Sequence, residues 1–211
     1  MAKSRDPFFK ALDRIRERVH DGAYAPGGSI VIVDEARRLK VSTTPVREAL
    51  SWLCGEGLVE RGPAGGFLAA RLDAGAVRDL YGFRLVCLLA GLDLTAGLPA
   101  YGRKPERDGH PVGELNRFFD SLVRRTGNAV LLDAYARVAG QIRQLQAAET
   151  RVFMDVSSEA GLLLDVASTE MNGDLRDALR RYHARRSEAA GLLSLGLARG
   201  RLEDAPGEDG A

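Results

Sequence analysis

The apolar positions of this chain change period along its length. Phe9, Leu12, Ile15 and Val19 recur at spacings of three, three and four, which predicts a helix from near Pro7 to near Gly22. Tyr24-Ala25-Pro26-Gly27-Gly28 then reads as a loop, and the β-branched Ser29–Val33 run as a short strand or extended segment. Asp34 can cap a short helix through Leu39, and Ser42-Thr43-Thr44-Pro45 marks a turn into a third helix. Thr44 as cap would put Pro45 at the first helical position, where its missing amide costs nothing, and Ser42 is an alternative cap. That helix runs through Val46, Ala49, Leu50 and Leu53 to Gly55-Glu56-Gly57. Leu58–Arg61 and Phe67–Ala70 read as two strands around the turn formers of residues 62–66.

From Asp73 onward the strand signals vanish and helical spacing takes over. Val77, Leu80, Arg84, Cys87, Leu88 and Gly91 share one face, residues 112–125 form a second stretch, and Leu131, Ala134, Val138, Ile142 and Leu145 a third. Residues 156–169 predict a helix around Leu162, Leu163 and Val166, and the last joins Leu175, Leu179, Tyr182 and Leu192. Residues 99–111, with prolines at both ends, read as a mobile loop. The predicted fold is mainly α: an N-terminal winged helix-turn-helix over residues 1–72, an all-α helical bundle over 73–202, and a disordered tail over 203–211.

Composition narrows the function. The 211 residues are 45% hydrophobic and 28% charged, which fits a globular protein. The longest apolar run, Leu85–Leu92, is far short of a membrane span, and the charged, proline-containing start lacks the apolar core of a signal peptide, so a cytoplasmic protein is expected. Cys54 and Cys87 sit in apolar helical patterns and read as free core thiols. The net charge of +1 conceals a tilt: residues 1–72 hold 12 basic and 9 acidic side chains, the remainder 18 and 20. This permits a nucleic-acid-binding front half without requiring one.

In a helix-turn-helix the second helix of the motif enters the major groove and its first residues meet base edges. Gly22-Ala-Tyr-Ala-Pro26-Gly27, Val41-Ser-Thr-Thr-Pro-Val-Arg-Glu-Ala-Leu50, Gly55-Glu-Gly-Leu-Val59 and Gly65-Gly66 together resemble the DNA-binding domain of GntR-family bacterial transcription regulators. The resemblance implies DNA contacts from Arg47 and from Lys40, Ser42, Thr43, Thr44 and Pro45 around the start of the third helix. Hydroxyls and free helix N-terminal amides there favour phosphate, and Arg47 has the reach to pair with guanine. Gly65 and Gly66 would let the wing approach the minor groove. Glu48 is expected to support the helix start or orient Arg47. The chain departs from the family where Thr43, Val33 and Ala64 or Gly65 replace basic residues, which predicts weaker DNA binding or contacts shifted to Lys40, Arg37 and Arg38.

The helical half resembles the FadR-type effector domain in its shorter VanR-like form. Many such domains hold a divalent metal with an aspartate and three histidines. Here Asn116 and Asp120 stand at the first pair, Ala160 at the second histidine, and Tyr182 or His183 at the third, so no tightly bound metal and no cofactor is expected. Arg84, Asn116, Asp120, Asn128, Arg143 and His183 are the candidates for binding a polar or anionic small-molecule effector. The expected protein is a homodimeric regulator, in this family more often a repressor, of a palindromic double-stranded operator. An enzyme is disfavoured, because no nucleophile triad or phosphate loop is present. The remaining alternative is an interaction module that kept the winged fold but lost specific DNA binding.

Overall fold

The computed structural model describes residues 6–96, 109–169 and 172–203. The N-terminal part contains α1 (Pro7–His20), α2 (Ile32–Leu39), α3 (Thr43–Gly55) and a hairpin of β1 (Val59–Arg61) and β2 (Phe67–Ala69). Asp6 caps α1, its Oδ1 accepting from the Phe8 amide at 2.9 Å, with Pro7 following at the first helical position. The helix buries Ala11, Leu12, Ile15 and Val19 in one core with Val46, Ala49, Leu50 and Leu53 of α3. Burying one such leucine contributes about 1.5–3 kcal/mol.

In this half the structure decides between alternatives that the sequence left open. Ser29–Val33 is not a strand: only Ser29 bridges Leu68, and Ile32 and Val33 already belong to α2. The Ile30 amide donates to the Phe67 carbonyl, so the segment closes the wing with isolated bonds while Val31 opens the helix. Helix α3 begins at Thr43 after Ser42 as cap, so Thr44 and Pro45 lie inside the first turn. The hairpin pairs Val59 with Ala69, Glu60 with Leu68 and Arg61 with Phe67.

The helical part contains α4 (Ala74–Leu94), α5 (Pro111–Arg124), α6 (Ala129–Arg143), α7 (Gln146–Val152), α8 (Val156–Ala167), α9 (Asn172–Glu188) and α10 (Ala190–Glu203). Asp73 caps α4 by accepting from the Ala76 amide at 2.8 Å. Helix α7 was not anticipated, and the expected final helix is broken near Ala189 into α9 and α10. The break turns Ala190, Leu193 and Leu197 into the core with Val77, Tyr81 and Ala148, leaving Leu192 exposed. Leu162 is also exposed, while its neighbours Leu163 and Leu164 are buried. A second core joins Cys87, Leu88, Phe119, Leu164, Leu179 and Tyr182. The expected loop at 99–111 lies mostly, and the expected tail at 203–211 almost wholly, outside the described residues.

The two parts meet directly. Gln141 Nε2 on α6 donates to the Glu56 carbonyl at 3.0 Å, and Ser194 Oγ donates to the Leu72 carbonyl at 2.8 Å. Gly57 has φ +72°, and a Cβ added there would lie 2.6 Å from Gln141 Nε2. Glycine is therefore required by the left-handed backbone, and any side chain here would push the Gln141 amide aside. The Glu56 carboxylate holds Arg16 at 2.6 and 3.0 Å and accepts from Trp52 Nε1 at 3.0 Å. One residue thus joins α1, α3 and α6.

Candidate nucleic-acid interface

The α2–α3 turn and the wing present one polar surface. Lys40, Ser42, Thr43, Thr44, Arg47 and Glu48 are exposed, as are Gly65 and Gly66. Lys40 ends α2 in the left-handed conformation at φ 55°. The Ser42 side chain makes no capping bond, so the amides opening α3 have no side-chain acceptor from the cap and suit an anionic ligand. Among the described residues Arg47 joins no ion pair, and its carbonyl accepts from Ser51 Oγ at 2.9 Å. Arg37 and Arg38 are exposed but partly engaged with Asp34 at 3.2 Å and Glu35 at 3.7 Å. Pro45 corrects the expected contact set, because it is buried in the α3 core face and sets the helix start without facing out.

Arg61 was missed. Its Nη2 donates to Ser51 Oγ at 3.1 Å and its guanidinium carbon lies 4.9 Å from the Phe67 ring centroid, placing a cation between α3 and the wing. Its position just before Gly62-Pro63 was the available signal, since the residue entering a hairpin tip shares its surface. Phe8, Arg47, Glu48, Ser51 and Trp52 line a shallow depression beside this face.

The six residues assigned to an effector do not converge. Asn128 is exposed and caps α6, its Oδ1 accepting from the Leu131 amide at 3.0 Å. Arg143 is exposed and near His20 of α1; burial first, then the Arg143 charge, push the His20 pKa down. Both serve helix start or domain contact, because each lies at an end of α6. Asp120 is exposed and near Tyr135, whose phenol is pushed far up by burial first and then by the Asp120 charge, and Asn116 is half-buried on α5.

Arg84 and His183 are together in the core between α4 and α9. Arg84 Nε donates to His183 Nε2 at 3.1 Å, and His183 Nδ1 lies 2.7 Å from the Leu179 carbonyl. This arrangement fixes a neutral ring protonated on Nδ1. Burial first, then the Arg84 charge, drives the His183 pKa well below its usual value. The Arg84 guanidinium carbon lies 5.1, 5.4 and 5.8 Å from the centroids of Tyr81, Phe119 and Tyr182. Its Nη2 is buried without a hydrogen-bond partner, and no carboxylate among the described residues pairs with it. These residues do not fit a divalent metal: His183 Nε2 faces a cation, Ala160 offers no donor, and the described residues contain no cluster of three metal-ligating side chains.

A second buried charge has carboxylates beside it, although its Nη2 and Glu159 Oε2 meet as an ion pair without hydrogen-bond geometry. Arg186, with no exposed surface, donates from Nε to Glu149 Oε2 at 3.0 Å and from Nη1 to the Tyr182 carbonyl at 3.0 Å, and its Nη2 lies 2.9 Å from Glu159 Oε2. Tyr81 donates to the other Glu149 oxygen. This network binds α4, α7, α8 and α9, and it differs from Arg84 in having two carboxylates beside the guanidinium.

Residues 10–68 match the family model described as bacterial regulatory proteins, gntR family. Over that span the N-terminal part is similar to the DNA-binding head of those regulators. An uncharacterised HTH-type transcriptional regulator in an unstable DNA locus of Streptomyces ambofaciens is 38% identical over 112 residues, 53% of this chain and 43% of that protein. The Nta operon transcriptional regulator of Aminobacter aminovorans is 44% identical over 61 residues, 29% of each. The chain thus spans less than half the length of either curated relative. Among solved structures, E. coli McbR/YncC superposes with a TM-score of 0.65 at 15% identity, covering 89% of this chain and 98% of that one. A Listeria monocytogenes protein, described as Lar controlling the agr system, gives 0.57 at 15% identity with the same coverage. These likenesses show the fold: a winged helix-turn-helix head followed by a helical body. No described helix is long and apolar enough to cross a membrane.

Proposed function

We propose that this chain is a cytoplasmic, homodimeric, sequence-specific DNA-binding transcriptional regulator, acting as a repressor, whose helical body is a FadR-type effector domain of VanR-like form. The observation that carries the reading is the exposed, uncapped start of α3 with Arg47 one turn in, set beside Arg61 and the wing. Ser42, Thr43, Thr44 and Lys40 would hold phosphates, Arg47 would read a base edge, and Gly65-Gly66 would bring the wing backbone to the minor groove. One such head covers a single half-site, so two copies on a palindrome follow. The effector reading rests on Arg84: a buried guanidinium lacking a counter-charge is costly, and a small ligand bearing an anionic group would lower that cost. Asn116 and Asp120 on α5 stand on the same side of the helical core as further polar candidates. Effector binding would shift DNA affinity through the contact between α6 and the end of α3.

Selection of bound fragments from random duplex DNA, at two salt concentrations, tests the function. Recovery of a palindromic site is the expected result. Recovery of only unselected, salt-sensitive fragments would support the interaction module that kept the winged fold without specific binding.

A further inference from the structure

The outer side of α3 carries aromatic surface that the head does not cover. Trp52 is 58% exposed and Phe9 of α1 is 54% exposed. Their rings join through Phe8, whose centroid lies 5.1 Å from that of Phe9 and 6.0 Å from that of Trp52, both edge-on. A contiguous apolar patch of this kind marks an interaction site. Its rings are anchored: Trp52 Nε1 donates to Glu56 Oε1 at 3.0 Å, Arg16 holds that carboxylate at 2.6 and 3.0 Å, and Phe8 packs against the core of the head. The one polar atom of the indole is thus taken, and the exposed remainder is hydrocarbon. Arg47, Glu48 and Ser51 line the same depression as Phe8 and Trp52, with Arg47 and Glu48 exposed.

We propose that this depression reads base edges in the major groove, with the Phe8 and Trp52 rings receiving the C5-methyl group of a thymine within two base pairs of the one that Arg47 contacts. The proposal rests on the DNA-binding reading above and assigns to it a specificity residue, Trp52, and the base it selects. The lining favours base edges over the sugar-phosphate backbone. Glu48 places a carboxylate there, which repels phosphate but accepts from the amino group of cytosine. The major-groove edge offers the three features that the depression complements: guanine acceptors for Arg47, an amino group for Glu48 and a methyl group for the rings. The spacing agrees. Trp52 stands one turn beyond Glu48, about 6 Å along α3, which is roughly two base-pair steps of 3.4 Å for a helix lying along the groove. Because the rings are already held, ordering them on binding costs little. A protein partner seated on the rings would cover Arg47 as well and compete with the operator.

The test replaces thymine by uracil, one position at a time, in the duplex that the full chain selects; each replacement removes a methyl group and no hydrogen-bonding atom. Affinities are read by fluorescence anisotropy of the labelled duplex. With wild-type protein one position in each half-site should lose about fourfold, the value of one buried methyl group. Trp52→Gln keeps an N–H for Glu56 and removes the ring, so it should bind the thymine and uracil duplexes equally at that position. A second measurement needs no variant: 5-iodouracil at the same position, irradiated in the wild-type complex, should cross-link to Trp52 or Phe8. A structural role alone would weaken both duplexes alike and keep the fourfold ratio, and that result in folded Trp52→Gln protein overturns the proposal. So does the lack of any uracil penalty in the wild type, or a cross-link that maps away from the two rings. Trp52→Gln protein that matches the wild type on every duplex overturns it too, the result expected if the rings serve a protein partner. Each of these leaves the DNA-binding reading standing, whereas wild-type protein that selects no site overturns both.

Discussion

Gly57→Ala gives a quantitative test of how the two parts are joined. The substitution forces an alanine into φ +72°, at about 1–2 kcal/mol, and drives its Cβ against Gln141 Nε2. Gln141 must then leave the Glu56 carbonyl, losing about 1 kcal/mol. The expected total is about 2–3 kcal/mol. Gln141→Ala alone should cost about 1 kcal/mol, and in that background Gly57→Ala should cost only the backbone strain, because the obstructing amide is gone. The two changes should therefore couple by about 1 kcal/mol, with the double variant better than the sum. Trp52, the single tryptophan, reports the event: its indole donates to the carboxylate of Glu56, the residue whose carbonyl Gln141 holds. Urea unfolding followed by Trp52 fluorescence measures all four proteins. Costs that add to within about 0.3 kcal/mol would refute the steric account of Gly57.

The other expectations can be checked separately. Arg47→Ala should weaken binding to the selected duplex by about 1–3 kcal/mol while leaving mass and helicity unchanged; unchanged affinity would remove Arg47 from the interface. Arg61→Ala should weaken binding more uniformly across sequences and flatten the salt dependence, read from a salt titration of affinity. His183 is held neutral in the folded state, so its contribution is intact above the unfolded value near 6.5 and is lost as pH falls below it; His183→Gln should flatten stability against pH between about 6.5 and 5. Tyr24 and Tyr182 are both pushed up to about 12 chiefly by burial, so the folded protein loses stability as pH rises above 10, where the unfolded phenols ionise first. Absorbance titration at alkaline pH should show both phenols silent until unfolding.

The sequence by itself determined the head: the period of Leu12, Ile15 and Val19, the turn formers at residues 62–66, and the Thr-Pro-Val-Arg-Glu-Ala-Leu stretch specify short elements whose signals are local. It also determined that the remainder is helical. Local signals could not decide where Ser29–Val33 stops being extended, because β-branched residues tolerate both states and the helix begins at Ile32 once Ile30 is tied to Phe67. They could not divide the final helix at Ala189 either, since that break follows from which core Leu193 and Leu197 enter. The site shows the same division. Spacing brought Ser42, Thr43, Thr44 and Arg47 to one exposed helix start, but Pro45 turned inward and Arg61 joined from a strand ten residues beyond Ser51. The tertiary structure alone scattered Asn128 and Arg143 to the ends of α6 and brought Arg84 against His183 from 99 residues away. It also left the buried Arg84 guanidinium without a carboxylate while giving Arg186 two. Such pairings depend on how helices pack in three dimensions, and periodicity along one helix carries no record of its neighbours.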